Sequence, residues 1–432
     1  MGEKQRASLS IAPVLWRFLM AMILANISGN MYGPLLPIYL RHLNAGVAEV
    51  GLFFSISQVI PLTLQVVGGW ISDSVGRLRA VAVGSLVGLA AYFPLILAPS
   101  WQWVLLAEGL GAITRSLVAP SFDAFVAEQS SEESRARVFG LVESLFMIVT
   151  VIGPLLGGWL VNRFGFRVML IVAAGFYGAA TAIRLSMARQ EAQAQEAEAM
   201  PLSWQGLKQT LGTVVGMVFS GGVLTWMVIT DGVRDASFAL SMNLLPIYMQ
   251  EFGGLGAFEI GLTGSLFGLA VMLTTLPAGW LADKRGERVG IALGFLVVAS
   301  SLVWLVYAVP VGRAGFFAGW VLAGIGVGLL SPAYRSLISK VLPKEVRGTG
   351  FGLLSTSLGL FSLPAPALGA QLWERVSPRF PFLITAGVAY LSVIPVWLMF
   401  KAPSSGSTEK APSASNGMPR LANPSEIPDV EV

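Results

Sequence analysis

Asp231, Arg234 and Asp235 follow one another at spacings of three and four residues, so a helix through them would carry all three side chains on one face. They stand inside an otherwise apolar run, 219–250, long enough to cross a bilayer. An ionisable side chain at the bilayer centre costs about 2.5–3.5 kcal/mol on insertion scales, so three together should line a wet cavity or neutralise one another. Dehydration favours the neutral acid, and an adjacent guanidinium favours the anion. Either carboxyl is therefore a candidate to change protonation as a cavity opens and closes. The competing reading is a structural triad, with Arg234 neutralised locally and one carboxyl keeping its proton.

Other polar residues in apolar runs extend this candidate substrate and proton cavity. Glu108 and Arg115, seven residues apart, share a helix face, with Arg115 nearer the midplane. Asn26, Asn30 and Tyr32 offer hydrogen bonds without charge, or packing contacts between helices. Glu143 reads as an accessory to a cytoplasmic gate, Arg184 as a side chain snorkelling to the headgroups, and Gln58 and Gln65 as path-lining or helix-bridging groups. The aromatic residues are scattered and read mainly as lipid-facing or interfacial. With no cysteine and a single histidine, His42, neither thiol nor metal chemistry is expected. No nucleophile and base converge, and no phosphate-binding glycine loop is present. The chain is expected to be no enzyme and to hold no cofactor, drawing its energy from a proton or other ion gradient.

These residues must be positioned by membrane helices. Hydrophobic residues make up 54% of 432, charged residues 12%, and the mean hydropathy is +0.71, a surface that lipid rather than water must cover. Apolar runs lie near 14–40, 47–70, 79–98, 101–127, 138–161 and 166–187, and again near 219–250, 256–281, 289–309, 314–339, 350–373 and 380–400. The expected fold is an all-α membrane protein of twelve transmembrane helices in two pseudo-symmetric six-helix bundles. The expected divisions are a cytoplasmic N-terminus (1–13), a first bundle (14–188), a linker (189–212), a second bundle (213–402) and a disordered tail (403–432). Arg77, Arg79, Arg135, Arg137, Lys284, Arg285, Arg288, Lys344 and Arg347 fall on one side, which sets both termini in the cytosol. The pI of about 9.4 reflects that bias, and no nucleic-acid partner is expected.

The two halves are repeats. Gly69, Asp73 and Gly76 return 210 residues later as Gly279, Asp283 and Gly286; Pro37, Ile38 and Tyr39 are echoed by Pro246, Ile247 and Tyr248. Aligning Pro120 with Pro332, and Arg135 with Arg347, pairs Asp123 with Arg335, while Arg77 becomes Glu287. Arg77 with Asp123 and Glu287 with Arg335 are then expected as equivalent ion pairs of exchanged sign; the alternative is that all four reach the headgroups independently.

The sequence of Gly69, Asp73, Gly76 and Arg77, its first three members repeated in the second half of a twelve-span chain, resembles the loop signature of the major facilitator superfamily over roughly 14–400. The resemblance implies a cavity between the halves, opened alternately to either side, and ion pairs that gate it. Gly153, Pro154, Gly157 and Gly158 resemble the core of the motif of its drug/proton antiporter members, with Val149 in place of the usual upstream glycine. Leu105 and Glu108 stand where those members commonly carry an arginine and a glutamine. The expected function is secondary active transport of a small organic or amphipathic solute, by proton-coupled efflux in a multi-pass cell-membrane protein acting as a monomer among lipids. Proton-coupled uptake and a lipid-moving, scramblase-like role are the alternatives.

Overall fold

In the computed structural model, residues 13–130, 135–192, 223–341, 359 and 362–400 are described; all their regular elements are helical. Helix α1 (Pro13–Tyr32) passes through a 3₁₀ turn, Gly33–Leu35, into α2 (Leu36–His42). Pro34 and Pro37 lack the amide hydrogens that a continuous α-ladder needs, so the tighter turn forms around Pro34 and the α-helix resumes with Pro37 in its first turn. Helix α3 (Val47–Val75) follows, then α4 (Arg77–Leu97), α5 (Trp101–Glu128) and α6 (Arg135–Ala192). Helix α6 contains two of the expected spans. Gly165, at φ 82°, ψ 170°, divides it where the apolar runs 138–161 and 166–187 meet. The helix continues through 189–192, into the stretch expected to be linker; 193–212 lies outside the described residues.

The second half begins with α7 (Val223–Ser241), a 3₁₀ turn at Met242–Leu244, and α8 (Leu245–Glu251). Next come α9 (Ala257–Arg285), α10 (Glu287–Tyr307), α11 (Arg313–Val341), α12 (Ala365–Arg375) and α13 (Phe380–Met399). The span expected at 350–373 is described continuously only from Ser362. Seven helices among the described residues are long and apolar enough to cross a membrane. The chain is an all-α, multi-pass membrane protein.

The repeat extends to backbone and hydrogen-bond detail. Asn44 and Gly254 both take φ 62°, and Gly76 and Gly286 take φ 96° and 87° between consecutive long helices. The Glu49 carboxylate accepts from the Gly46 amide at 2.5 Å, and Glu259 from Gly256 at 2.7 Å, closing the orphan donors at the starts of α3 and α9. Tyr39 donates to the Leu95 carbonyl at 2.6 Å and Tyr248 to that of Val306 at 2.9 Å. Each tyrosine thereby ties the end of its half's first span to that half's third.

Candidate functional site

The triad sits on α7 as its spacing requires. Arg234 Nη1 lies 2.9 Å from Asp231 Oδ1, and its Nη2 and Nε lie 2.7 and 2.8 Å from Asp235 Oδ1. The guanidinium also stands over the Tyr334 ring of α11, 5.1 Å from its centroid. Asp231 is 4% exposed, whereas the Asp235 side chain keeps 36% of its surface. One guanidinium thus bridges two carboxylates, one sealed and one reachable.

In the first half, α1, α4, α5 and α6 enclose a cavity of about 290 Å³ whose wall includes Asn26, Asn30, Tyr32 and Arg115. Glu108 is the counter-ion of Arg115 at 3.3 Å. Asn26 and Asn30 donate to the carbonyls of Met22 and Asn26 one turn earlier, at 2.8 and 2.9 Å. Their side-chain oxygens remain to accept from a solute. Arg184 corrects the expectation of a snorkelling side chain. It is 1% exposed, turned inward to donate to Ser85 Oγ and to contact Met22 Sδ, both at 2.8 Å.

A second cavity, of about 640 Å³, lies between the halves. Phe54 and Thr150 come from the first half, and Phe238, Met242, Phe267 and Trp320 from the second; Asn30 lies on the walls of both cavities. Phe267 and Trp320 stack at 5.0 Å. These aromatics were expected to face lipid or the interface, and an apolar residue on a membrane helix carries no sign of which it faces. The volume suits an organic molecule.

One end of the interface between the halves is closed by small residues. A Cβ on Gly158 would lie 2.7 Å from the Ala257 carbonyl oxygen and 3.1 Å from Gly261 Cα, so α6 and α9 cross in backbone contact. Gly51 faces Pro366 and Ala370 in the equivalent crossing of α3 with α12. Gly153 and Gly157 press α6 on Asn30 and Met31 of α1, as Gly369 presses α12 on Leu240 of α7. Pro154 lines the larger cavity. The same end carries the ion pair Arg41–Glu251, 2.7 Å, and hydrogen bonds from the Ala48 and Ala367 amides to Glu374 and Ser55, 3.0 and 3.1 Å. It is the end with fewer cations.

At the cation-rich end, Arg77 Nε lies 3.4 Å from Glu128. The side chains of Asp73 and Asp123 and the surroundings of Gly69 lie outside the described residues, and with them the expected Arg77–Asp123 pair. Asp283 is exposed, and Gly286 makes the turn into α10. The expected Glu287–Arg335 pair is not formed in this conformation. Glu287, 5% exposed, accepts from Ser336 Oγ at 2.9 Å. Arg335 instead crosses to Glu143 in the other half at 3.6 Å. Neighbouring residues on a helix diverge by about 100°, so only one of 335 and 336 can face α10.

Two like halves, a large apolar cavity between them and ionisable side chains inside the membrane define a transporter of small solutes, not an enzyme. The chain belongs to the Major Facilitator Superfamily, whose family model matches residues 18–233 and 227–426. The multi-drug resistance efflux pump PmrA homolog of Lactococcus lactis is 22% identical over 381 residues, 87% of this chain and 91% of that protein. PmrA of Streptococcus pneumoniae is 24% identical over 84% and 90% of the two chains, and the multidrug resistance protein MdtG of Citrobacter koseri 23% over 84% and 89%. Among solved structures, a POT family transporter in complex with 5-aminolevulinic acid superposes with a TM-score of 0.72 at 15% identity, over 89% of this chain and 95% of that one. Peptide transporter POT in complex with sulfate gives 0.71 at 16%, over 89% and 93%. These structures share its fold.

Proposed function

We propose that this transporter exports an amphipathic organic solute in exchange for protons, its halves rocking about the central cavity. The observation that carries the proposal is the α7 triad, in which Arg234 sits between Asp231 and Asp235 on a largely buried face. Two carboxylates and one guanidinium sum to one negative charge, so the cluster is neutral only with a proton added. A neutral cluster is the one that low dielectric tolerates. The triad lines neither of the two cavities, so the link runs through Asp235, which keeps 36% of its surface: covering it as the halves rock favours proton uptake, and exposing it to the other side allows release. This links the proton to the conformational cycle.

Efflux is supported by the glycine-rich crossing at Gly153, Gly157 and Gly158 and by relatives named as multidrug efflux pumps. The conformation is closed at the cation-poor end, the outside by the positive-inside rule. Gly69, Asp73, Gly76, Arg77, Asp123, Asp283, Gly286, Glu287 and Arg335 form the proposed cytoplasmic gate, with Glu143 as the partner of Arg335 in this state. The chain works as a monomer with its own cavity complete. The test is the luminal pH of proteoliposomes holding an imposed proton gradient, recorded as solutes are added outside. Dissipation that requires both solute and active transporter is expected; a gradient indifferent to every solute that binds would contradict proton coupling.

A further inference from the structure

The smaller cavity holds a cation that the transport reading leaves unused. Arg184 is 1% exposed and lies on the cavity wall. Its contacts are the Ser85 hydroxyl, the Met22 thioether, and the hydroxyl and ring of Tyr177, the ring centroid 5.9 Å from the guanidinium carbon. None carries a negative charge, and Nε has no hydrogen-bond partner. Among the described residues no carboxylate pairs with Arg184, and Glu108 is taken by Arg115. A guanidinium does not deprotonate in proteins, so this charge stays. A buried, permanent cation with an open donor is a site for an anion.

The walls specify the rest of the ligand. Tyr32, Tyr92 and Tyr177 form a row, with centroids 6.1 and 5.6 Å apart along it, leading to Arg184. Gly88 leaves room for the Tyr177 hydroxyl, since a Cβ there would collide with it. At Asn30 the small cavity adjoins the apolar one that holds Phe54, Phe267 and Trp320. We propose that the transported solute is an amphipathic organic anion, its carboxylate, sulfonate or phosphate bound at Arg184 and its ring-bearing body directed past Asn30 into the central cavity. The assignment rests on the reading of this cavity system as the transport path and narrows its substrate to one charge class.

The test is equilibrium dialysis of the purified full-length chain against 2-naphthoate, 2-naphthamide and 2-naphthylmethylammonium at equal ionic strength. The three share a ring system and differ in charge. Naphthoate should bind about tenfold or more tighter than either of the others, the worth of a charge-assisted contact. Arg184→Gln should lower naphthoate affinity to that of the amide and leave the amide unchanged, and Arg184→Lys should keep part of the preference. If Arg184→Gln does not fold, the ranking on the unmodified chain still decides. Amide or ammonium binding as tightly as naphthoate would overturn the inference, as would an Arg184→Gln chain that binds naphthoate undiminished. Sulfate binding without naphthoate binding would reduce the site to an inorganic anion pocket and overturn the solute assignment. Gradient-driven movement of the ammonium alone would sink the anion assignment and leave transport standing. Naphthoate binding without gradient-driven movement would do the reverse.

Discussion

Gly158→Ala tests how the halves close. The added Cβ would stand 2.7 Å from the Ala257 carbonyl oxygen and 3.1 Å from the Cα atoms of Phe258 and Gly261, against an ordinary contact of 3.4 Å or more. All three neighbours belong to the other half, on or beside α9, and none is the end of a flexible side chain. The clash is relieved only when the halves separate at this end. Overpacking by one methyl group typically costs about 1–3 kcal/mol, and a cost confined to one of two conformations shifts their ratio roughly 5- to 150-fold. The chain has no cysteine, so a single Thr263→Cys substitution gives a unique reporter. Thr263 is 1% exposed on the wall of the central cavity. In right-side-out vesicles, a membrane-impermeant maleimide should label this cysteine faster in the Gly158→Ala background by a factor in that range. Gly175→Ala is the control, because a Cβ there meets nothing within 4 Å. Equal labelling in both backgrounds, with both proteins folded, would refute the claim that this crossing holds the outer end shut.

Asp231→Asn and Asp235→Asn should each uncouple transport. A gradient of one pH unit supports about tenfold accumulation per exchanged proton, and the ratio should fall to one while exchange at equal pH persists; full accumulation in both variants would remove the triad from coupling. Arg41→Ala or Glu251→Ala should raise the labelling of Thr263→Cys less than about fivefold, because a half-exposed pair contributes about 0.2–1 kcal/mol. High salt should shrink that increment, and a salt-insensitive change would show that the pair acts otherwise than by charge. Glu143→Arg and Arg335→Glu should each slow transport a few-fold, and the double reversal should recover it if the exposed 3.6 Å pair forms in the cycle. A double variant slower than either single one would exclude direct pairing.

Much of the fold was legible because duplicated residues face duplicated geometry. Gly76 and Gly286 need positive φ at the same turn, and Pro34, Pro37 and Pro246 force the same break in the first span of each half. The triad was legible because its partners lie within one helical turn, where spacing alone decides contact. Arg184 was not. Its position three residues before the end of an apolar run suggested the headgroups, whereas its partners Ser85 and Met22 are 99 and 162 residues away in sequence. The Glu287–Arg335 pair, expected as one latch of a gate that forms in one state and releases in the other, is not made in this conformation. Repeat alignment equates positions but does not fix which of two adjacent side chains faces the neighbouring helix, and Ser336 took that place. Phe54, Phe267 and Trp320 could not be assigned to the cavity from sequence, since lipid and cavity walls favour the same residue types.

In the proposed cycle, solute movement is linked to a proton bound at the α7 triad. This link is tested most directly by the luminal pH of proteoliposomes, loaded with an imposed proton gradient, while 2-naphthoate is added to one side. The unmodified chain should dissipate the gradient faster than protein-free vesicles do, saturating with naphthoate concentration, and Asp231→Asn or Asp235→Asn should add nothing to the protein-free rate. Naphthoate movement that leaves the pH untouched, or dissipation that survives in both variants, would contradict it.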